Sequence, residues 1–214
     1  HKPVFKGSED FVGQIIHPQE WNSTIDYENK KVAVIGSGAT AITLIPEIAK
    51  KASHVTMIQR SPTYIASVPS KYKILHLLNY ISPKLGYKII RFTNILRQRR
   101  IYRRAMRSPE LVKNYLLDLV RDELPGFDIE KHFTPTYNPW EQRLCLAPDS
   151  DFFESINQKR VSVETETIDS FSEKGVQLDS GKLIEADIIV TATGIKLQNF
   201  GGIRIFVDKN EIDI

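Results

Sequence analysis

Six consecutive residues, Gly36-Ser37-Gly38-Ala39-Thr40-Ala41, fit the spacing G-x-G-x-x-[G/A]. The pattern is suited to holding a pyrophosphate. Gly36 allows a tight turn, Gly38 offers no side chain to keep the backbone away from a ligand, and Ala41 lets a following helix sit close to the strand before it. Exposed N–H groups from Ser37 to Ile42, together with the positive end of the helix dipole, would bind the phosphates. The pattern is weak alone and informative only between a strand and a helix. About twenty residues further on, an NAD site places an Asp or Glu on the ribose 2′-hydroxyl. This chain has Gln59-Arg60-Ser61 there. A carboxylate would repel a 2′-phosphate, whereas a guanidinium grips one with two parallel hydrogen bonds and Ser61 adds a donor. The residues therefore point to NADP(H) rather than NAD(H).

The elements needed to position these residues are legible around them. Lys31 to Ile35 is short, β-branched and ends at glycine, as a buried parallel strand does. Ala39 to about Ala52 carries Ala41, Leu44, Ile45, Ile48 and Ala49 at helical spacing. His54 to Gln59 reads as a second strand, completing a βαβ unit. Residues 1–30 look irregular. From about residue 70 the pattern turns helical, with helices expected over Ile74 to Ile81 and Lys84 to Arg104. A further helix starts at Ser108-Pro109-Glu110 with a cap and a proline at its first position, and runs to Pro125-Gly126. Residues 126–148 read as loop, and Asp149-Ser150 as the cap of a short helix ending near Gln158. Strands are expected over Val161 to Glu164, Thr167 to Phe171, Val176 to Leu178 and, after a turn at Asp179-Ser180-Gly181, Lys182 to Thr193. The fold class is α/β, a Rossmann-like NADP-binding domain whose parallel sheet is flanked by helices, with a helical insertion and a β-rich tail. Residues 31–69 and 126–200 form the core, 70–125 the insertion and 1–30 a linker.

Composition narrows the classes further. With 214 residues, 41% apolar and 26% charged, the chain is an ordinary globular one. It has no apolar run long enough to span a bilayer, so no stable membrane insertion is expected. Cys145 is the only cysteine, which removes disulfides, a CxxC redox pair and a cysteine-rich zinc site, and a cytoplasmic setting is the plain reading. None of the five histidines has companions at ligand spacing, so no metal site is expected. The net charge of +3 does not argue for nucleic acid, but its distribution is uneven. Between Glu47 and Glu110 there is no carboxylate, while 14 of the 29 Lys and Arg residues fall there. The near part of that field suits a polyphosphate ligand. The far part, Arg97 to Arg107, reads as a solvated helix face, and no nucleic-acid partner is expected because aromatics other than Tyr102 are missing from the run.

The chain also carries a longer motif. Phe11-Val12-Gly13-Gln14-Ile15-Ile16-His17-Pro18-Gln19-Glu20-Trp21 fits F-x-G-x-x-x-H-x-x-x-W, and in this it resembles the Baeyer–Villiger monooxygenases, class B flavoproteins. Asn22 departs from the Pro or Asp usual there. The stretches Gly36 to Ala41, Gln59 to Tyr64, Tyr137 to Pro148 and Asp187 to Gly194 resemble the subgroup that includes a mycobacterial enzyme activating thioamide prodrugs. The resemblance implies an NADPH- and FAD-dependent monooxygenase acting with O2 on a ketone or a thioether or thioamide. Phe11, Gly13, His17 and Trp21 would belong to the linker between NADP and FAD domains, with His17 transmitting domain motion and Trp21 anchoring by packing. Arg143 would be the catalytic arginine beside the flavin. Gln142, where the family often has Lys, would touch the coenzyme. Thr193, in Thr191-Ala192-Thr193-Gly194, would lie where the chain crosses back, with residues 201–214 starting the return to an FAD domain that this chain does not include. Sister enzymes that oxidise nitrogen and sulfur, and a freestanding NADP-binding module without oxygenase activity, are the alternative readings.

Overall fold

The computed structural model describes residues 3–71, 82–195, 201, 203–208 and 210–212. Its centre is a five-stranded parallel sheet in the order β1-β10-β2-β3-β6, built from β1 (Gln14–Ile16), β2 (Lys31–Ile35), β3 (His54–Gln59), β6 (Val161–Thr165) and β10 (Ile188–Thr191). The strands β2 and β3 have the bounds expected from their sequence. Helix α1 (Ala39–Ile48) joins them. It ends four residues short of the expected Ala52. Pro46 lies in its last turn, and the chain tightens beyond it into three-residue bonds, Lys50 N–H to Glu47 O and Lys51 N–H to Ile48 O.

Alternation along the strands divides the core into two layers. Val32, Val34, Val55, Met57, Ile188 and Val190 face α1, α3 (Pro109–Glu123) and α5 (Asp151–Asn157). Ala33, Ile35, Ile58 and Ile189 face the other way, onto Phe171, Val176, Leu178 and Ile184. Those belong to an antiparallel three-stranded sheet of β7 (Ile168–Ser172), β8 (Gly175–Leu178) and β9 (Leu183–Glu185). The central sheet is thus covered on both faces, as an all-parallel sheet requires.

Several elements differ from the sequence reading. Residues 1–30 are not all irregular, because β1 pairs with β10 through Gln14–Ile188, Ile15–Ile189 and Ile16–Val190. The expected loop at 126–148 contains α4 (Ile129–Phe133) and β5 (Leu144–Pro148). β5 pairs in parallel with β4 (Tyr64–Val68), a strand the sequence reading lacked. The run from Lys182 to Thr193 is two strands in two sheets. It breaks at Asp187, whose carboxylate accepts from Lys31 N–H at 2.7 Å while its own N–H donates to Lys31 O at 2.8 Å. Ser150 does precede α5, yet its side chain caps nothing and donates instead to Glu123. Ser108 sits at the start of α3 likewise without a side-chain cap.

The helical segment comprises α2 (Pro83–Arg107) and α3. The helix expected over Ile74 to Ile81 lies outside the described residues. α3 buries Leu117 and Val120 in the main core, and Val112 and Leu116 in a smaller cluster with Tyr64, Ala66 and Ala105. A hairpin of β11 (Ile205–Val207) and β12 (Asn210–Ile212) follows the main body.

Candidate functional site

Strand order reverses between β2 and β10, so the crevice at their C-terminal ends is where a ligand of such a sheet sits. β2 ends there at Ile35 and runs into Gly36, and β10 ends at Thr191. Gly36 has φ +124°, and a Cβ at this position would stand 2.4 Å from Ala192 O. Both facts require glycine. Its N–H donates to Ile58 O, tying the turn to β3. Ser37 is buried. Its hydroxyl contacts that of Thr63 at 3.1 Å, and its carbonyl accepts from the Cys145 thiol at 3.7 Å. Burial pushes that thiol above its ordinary pKa, so Cys145 is a fastening for the turn rather than a reactive group.

Gly38 is the N-cap of α1 and gives it no side-chain cap, and a Cβ there would meet nothing within 4 Å. No acid lies in the first turn of α1. The opening N–H groups of a helix have no partner within it, so the open approach at Gly38 suits a phosphate. Ala39 and Thr40 are exposed, whereas Ala41 is fully buried against the strand. Ile42 is also fully buried, and its N–H donates to Gly38 O, so its part is packing.

A cavity of about 500 Å³ at this crevice brings together Gly36, Ser37, Arg60, Ser61, Arg143 and Thr193, with Phe5, Glu166 and Thr167 also on its wall. Arg60 and Arg143 are exposed, and neither forms an ion pair among the described residues. Both guanidinium groups are therefore available to an anion. The backbone beneath Arg60 is held by Gln59, whose buried amide donates to His132 O at 2.8 Å and Thr165 Oγ1 at 2.9 Å. Arg143 is held by Tyr137, whose hydroxyl donates to Arg143 O at 2.9 Å. Tyr64 in turn donates to Tyr137 O at 2.7 Å, with the two rings edge to face. Burial pushes the Tyr64 phenol up to about 12, so it stays a donor.

Gln142 is not brought to this cavity. It lines a second one, of about 830 Å³, with Trp140, Leu144, Leu146 and residues of α2. Glu166, conversely, was not anticipated. It follows β6, and its carboxylate accepts from Ser180 N–H, which holds it below the ordinary carboxylate range. No local motif marks it, since only the pairing of β6 with β3 brings it near Arg60.

The fingerprint residues gather where the first and last strands of the sheet meet. A Cβ on Gly13 would lie 2.2 Å from Asp187 O and 2.5 Å from the Phe11 ring. The glycine thus lets Phe11 fold over the entry to β1. His17 is buried; its Nδ1 accepts from Gln19 N–H, which puts the proton on Nε2, and Nε2–H donates to Gly194 O at 2.9 Å. The segment entering the domain is thereby tied to the segment leaving it. Trp21 packs on the main core and against Tyr27.

A family model described as flavin-binding monooxygenase-like matches residues 1–127. The chain belongs to the flavin-binding monooxygenase-like family. Among its relatives, the FAD-containing monooxygenase EthA of Mycobacterium tuberculosis is 48% identical over all of this chain and 44% of its own length. The probable FAD-binding monooxygenase AlmA of Acinetobacter baylyi is 49% identical over 99% of this chain and 43% of its own. The chain thus spans less than half the length of these relatives. The fold is that of a region of solved monooxygenases. A steroid monooxygenase bound to NADP superposes with a TM-score of 0.71 at 20% identity, over 91% of this chain and 44% of that one. A cyclohexanone monooxygenase gives 0.68 at 20% identity, over 91% and 45%. The flavin monooxygenase family and the Rossmann-like α/β fold expected from the sequence are both borne out.

His132, almost wholly buried beside the site, gives the domain a testable pH response. Desolvation lowers its pKa below the ordinary 6.5, so on acidification the unfolded chain takes up its proton before the folded one does. Stability is then full above pH 6.5 and falls as pH drops from there toward the folded-state value. Thermal unfolding midpoints measured between about pH 7 and 5 should drop less for His132→Gln than for the parent. Parallel curves would exclude His132 as the source.

Proposed function

We propose that this chain is the NADPH-binding part of an FAD-dependent monooxygenase that inserts oxygen beside a ketone carbonyl or oxidises a sulfur compound. The observation that carries this is the single cavity at the strand-order reversal. Its wall holds Gly36 and Ser37, which lead directly into the capless, acid-free start of α1, with the Arg60 and Ser61 donors for a 2′-phosphate and a second guanidinium at Arg143. The opening N–H groups of α1 would take the pyrophosphate, and Arg60 with Ser61 the 2′-phosphate. Thr193 lines the same wall. NADPH supplies hydride and FAD the reaction with oxygen; this chain's residues bind, orient and stabilise charge.

Only one G-x-G-x-x-[G/A] occurs in the sequence, and FAD is assigned to a domain outside it. Residues 1–30 and 201–214 are the two connections toward that domain, residues 31–69 and 126–200 the coenzyme-binding core, and 70–125 an insertion on it. The His17–Gly194 bond ties the first connection to the end of the coenzyme-binding core, ahead of the second connection. We place the protein in the cytoplasm, in keeping with its single, buried thiol. The complete polypeptide, assayed for NADPH oxidation in air with ketones and thioethers, should yield esters or lactones from the ketones. Sulfoxides alone would favour the nitrogen- and sulfur-oxidising sisters. NADPH binding without oxygenation of either class would leave a freestanding coenzyme module.

A further inference from the structure

One part of the coenzyme cavity has no use in holding phosphates. Its wall includes Phe5, Ile35, Ile58 and Ile168, all apolar, and with them Glu166. A carboxylate on the wall of a polyphosphate site repels the ligand unless it meets a different part of it. Glu166 is firmly placed. Its backbone N–H donates to Gln59 O at 2.9 Å, directly before Arg60, and its carboxylate accepts from Ser180 N–H. Strand pairing sets this arrangement, since β6 runs beside β3 with Thr165 opposite Gln59. Ser180 N–H occupies one position of a carboxylate that can accept at about four. No cation is ion-paired with Glu166 among the described residues. Arg60 and Glu166 thus share a cavity without neutralising each other.

With a 2′-phosphate on Arg60 and Ser61, covalent geometry decides where the base goes. The base is carried on C1′ and the extra phosphate on C2′, adjacent atoms of one ribose, so the purine lies on the wall beside Arg60. The glycine-turn side of Arg60 is taken by the pyrophosphate. The side built from Glu166 and the apolar residues remains. A purine is flat, with apolar faces and a polar edge, and it matches an apolar wall carrying one acceptor. We infer, on the coenzyme reading of this cavity, that Glu166 selects the base. Its carboxylate accepts a hydrogen bond from the 6-amino group of adenine, while Phe5, Ile35, Ile58 and Ile168 shield the ring from water. An ionised carboxylate is an acceptor only. A 6-oxo purine turns a lone pair to the place where adenine has a donor, and so meets repulsion there. Arg60 and Glu166 divide one nucleoside between them, the cation reading its phosphate and the anion its base.

The test is titration calorimetry of the complete polypeptide with NADP⁺ and with its hypoxanthine analogue, in which a 6-oxo group replaces the 6-amino group. The parent should bind the analogue roughly tenfold or more weakly, as for loss of a hydrogen bond to a charged group. Glu166→Gln should bring the two within about threefold, because a carboxamide can turn its oxygen to an amino group or its NH2 to an oxo group. Removing the carboxylate also relieves repulsion of the phosphates. Both coenzymes carry the same phosphates, so the ratio of their dissociation constants is the quantity to read. Glu166→Ala, which offers neither partner, should narrow the ratio as well, and the ratio of the parent needs no variant at all. Equal affinity of the parent for both coenzymes overturns the role of Glu166 while leaving the cavity a coenzyme site. A ratio as wide in Glu166→Gln and Glu166→Ala as in the parent does the same. Failure of NADP⁺ itself to bind overturns the coenzyme reading, and this role with it.

Discussion

Arg60→Ala is expected to weaken NADPH binding roughly 10- to 150-fold and to leave NADH binding nearly unchanged. That range corresponds to about 1.5–3 kcal/mol for hydrogen bonds to a charged group. The side chain forms no ion pair among the described residues, the Glu166 carboxylate of the same cavity accepts from Ser180 N–H, and the backbone before Arg60 is fixed through Gln59, His132 and Thr165. The guanidinium is thus supported and uncommitted. Arg60→Lys keeps the charge but loses the planar fork, so it should fall between the parent and the alanine variant. Titration calorimetry with both coenzymes decides the matter. Equal weakening of both would mean that Arg60 acts on the fold or on the shared pyrophosphate, and that the 2′-phosphate is held elsewhere.

What the sequence revealed about this site follows from which forces are local. β2, the glycine turn, α1 and β3 announce themselves because β-branching, glycine and helical spacing act within a few residues. β1 is three residues long and exists because it pairs with β10, more than 170 positions away. β5 likewise depends on β4, and α4 is a five-residue helix too short to stand without its packing. The same division runs through the site. Arg60 and Ser61 are recognisable from their distance along the chain after the turn. Glu166 enters the cavity only because β6 lies beside β3, and Thr63 bears on the site only through its buried hydroxyl contact with Ser37. Gln142 and Arg143 are adjacent in sequence yet line different cavities, the chain bending at Gln142 before it enters β5 at Leu144. Adjacency to Arg143 therefore does not bring Gln142 to the coenzyme crevice.

In the complete polypeptide, Arg143→Ala should lower oxygenation turnover by about 10²–10³-fold, the usual loss when one preorganised electrostatic donor is removed from a site. Arg143 shares its cavity with the glycine turn and with Arg60, and its carbonyl is fixed by the Tyr64–Tyr137 relay. An arginine keeps its proton at working pH, so in the role proposed for it Arg143 would stabilise negative charge at the reacting centre without giving a proton away. Because the residue begins no ion pair among the described residues, its removal leaves no orphaned carboxylate, and the fold should survive. That separates the chemical effect from a structural one. Arg143→Lys should recover part of the rate through charge alone. Tyr137→Phe should reduce kcat several-fold with little change in KM for NADPH, since it frees the backbone of Arg143 and touches no ligand. Should Arg143→Ala instead raise KM for NADPH and leave kcat intact, the guanidinium belongs to coenzyme binding, and the charge at the reacting centre must be met by a group from outside this chain.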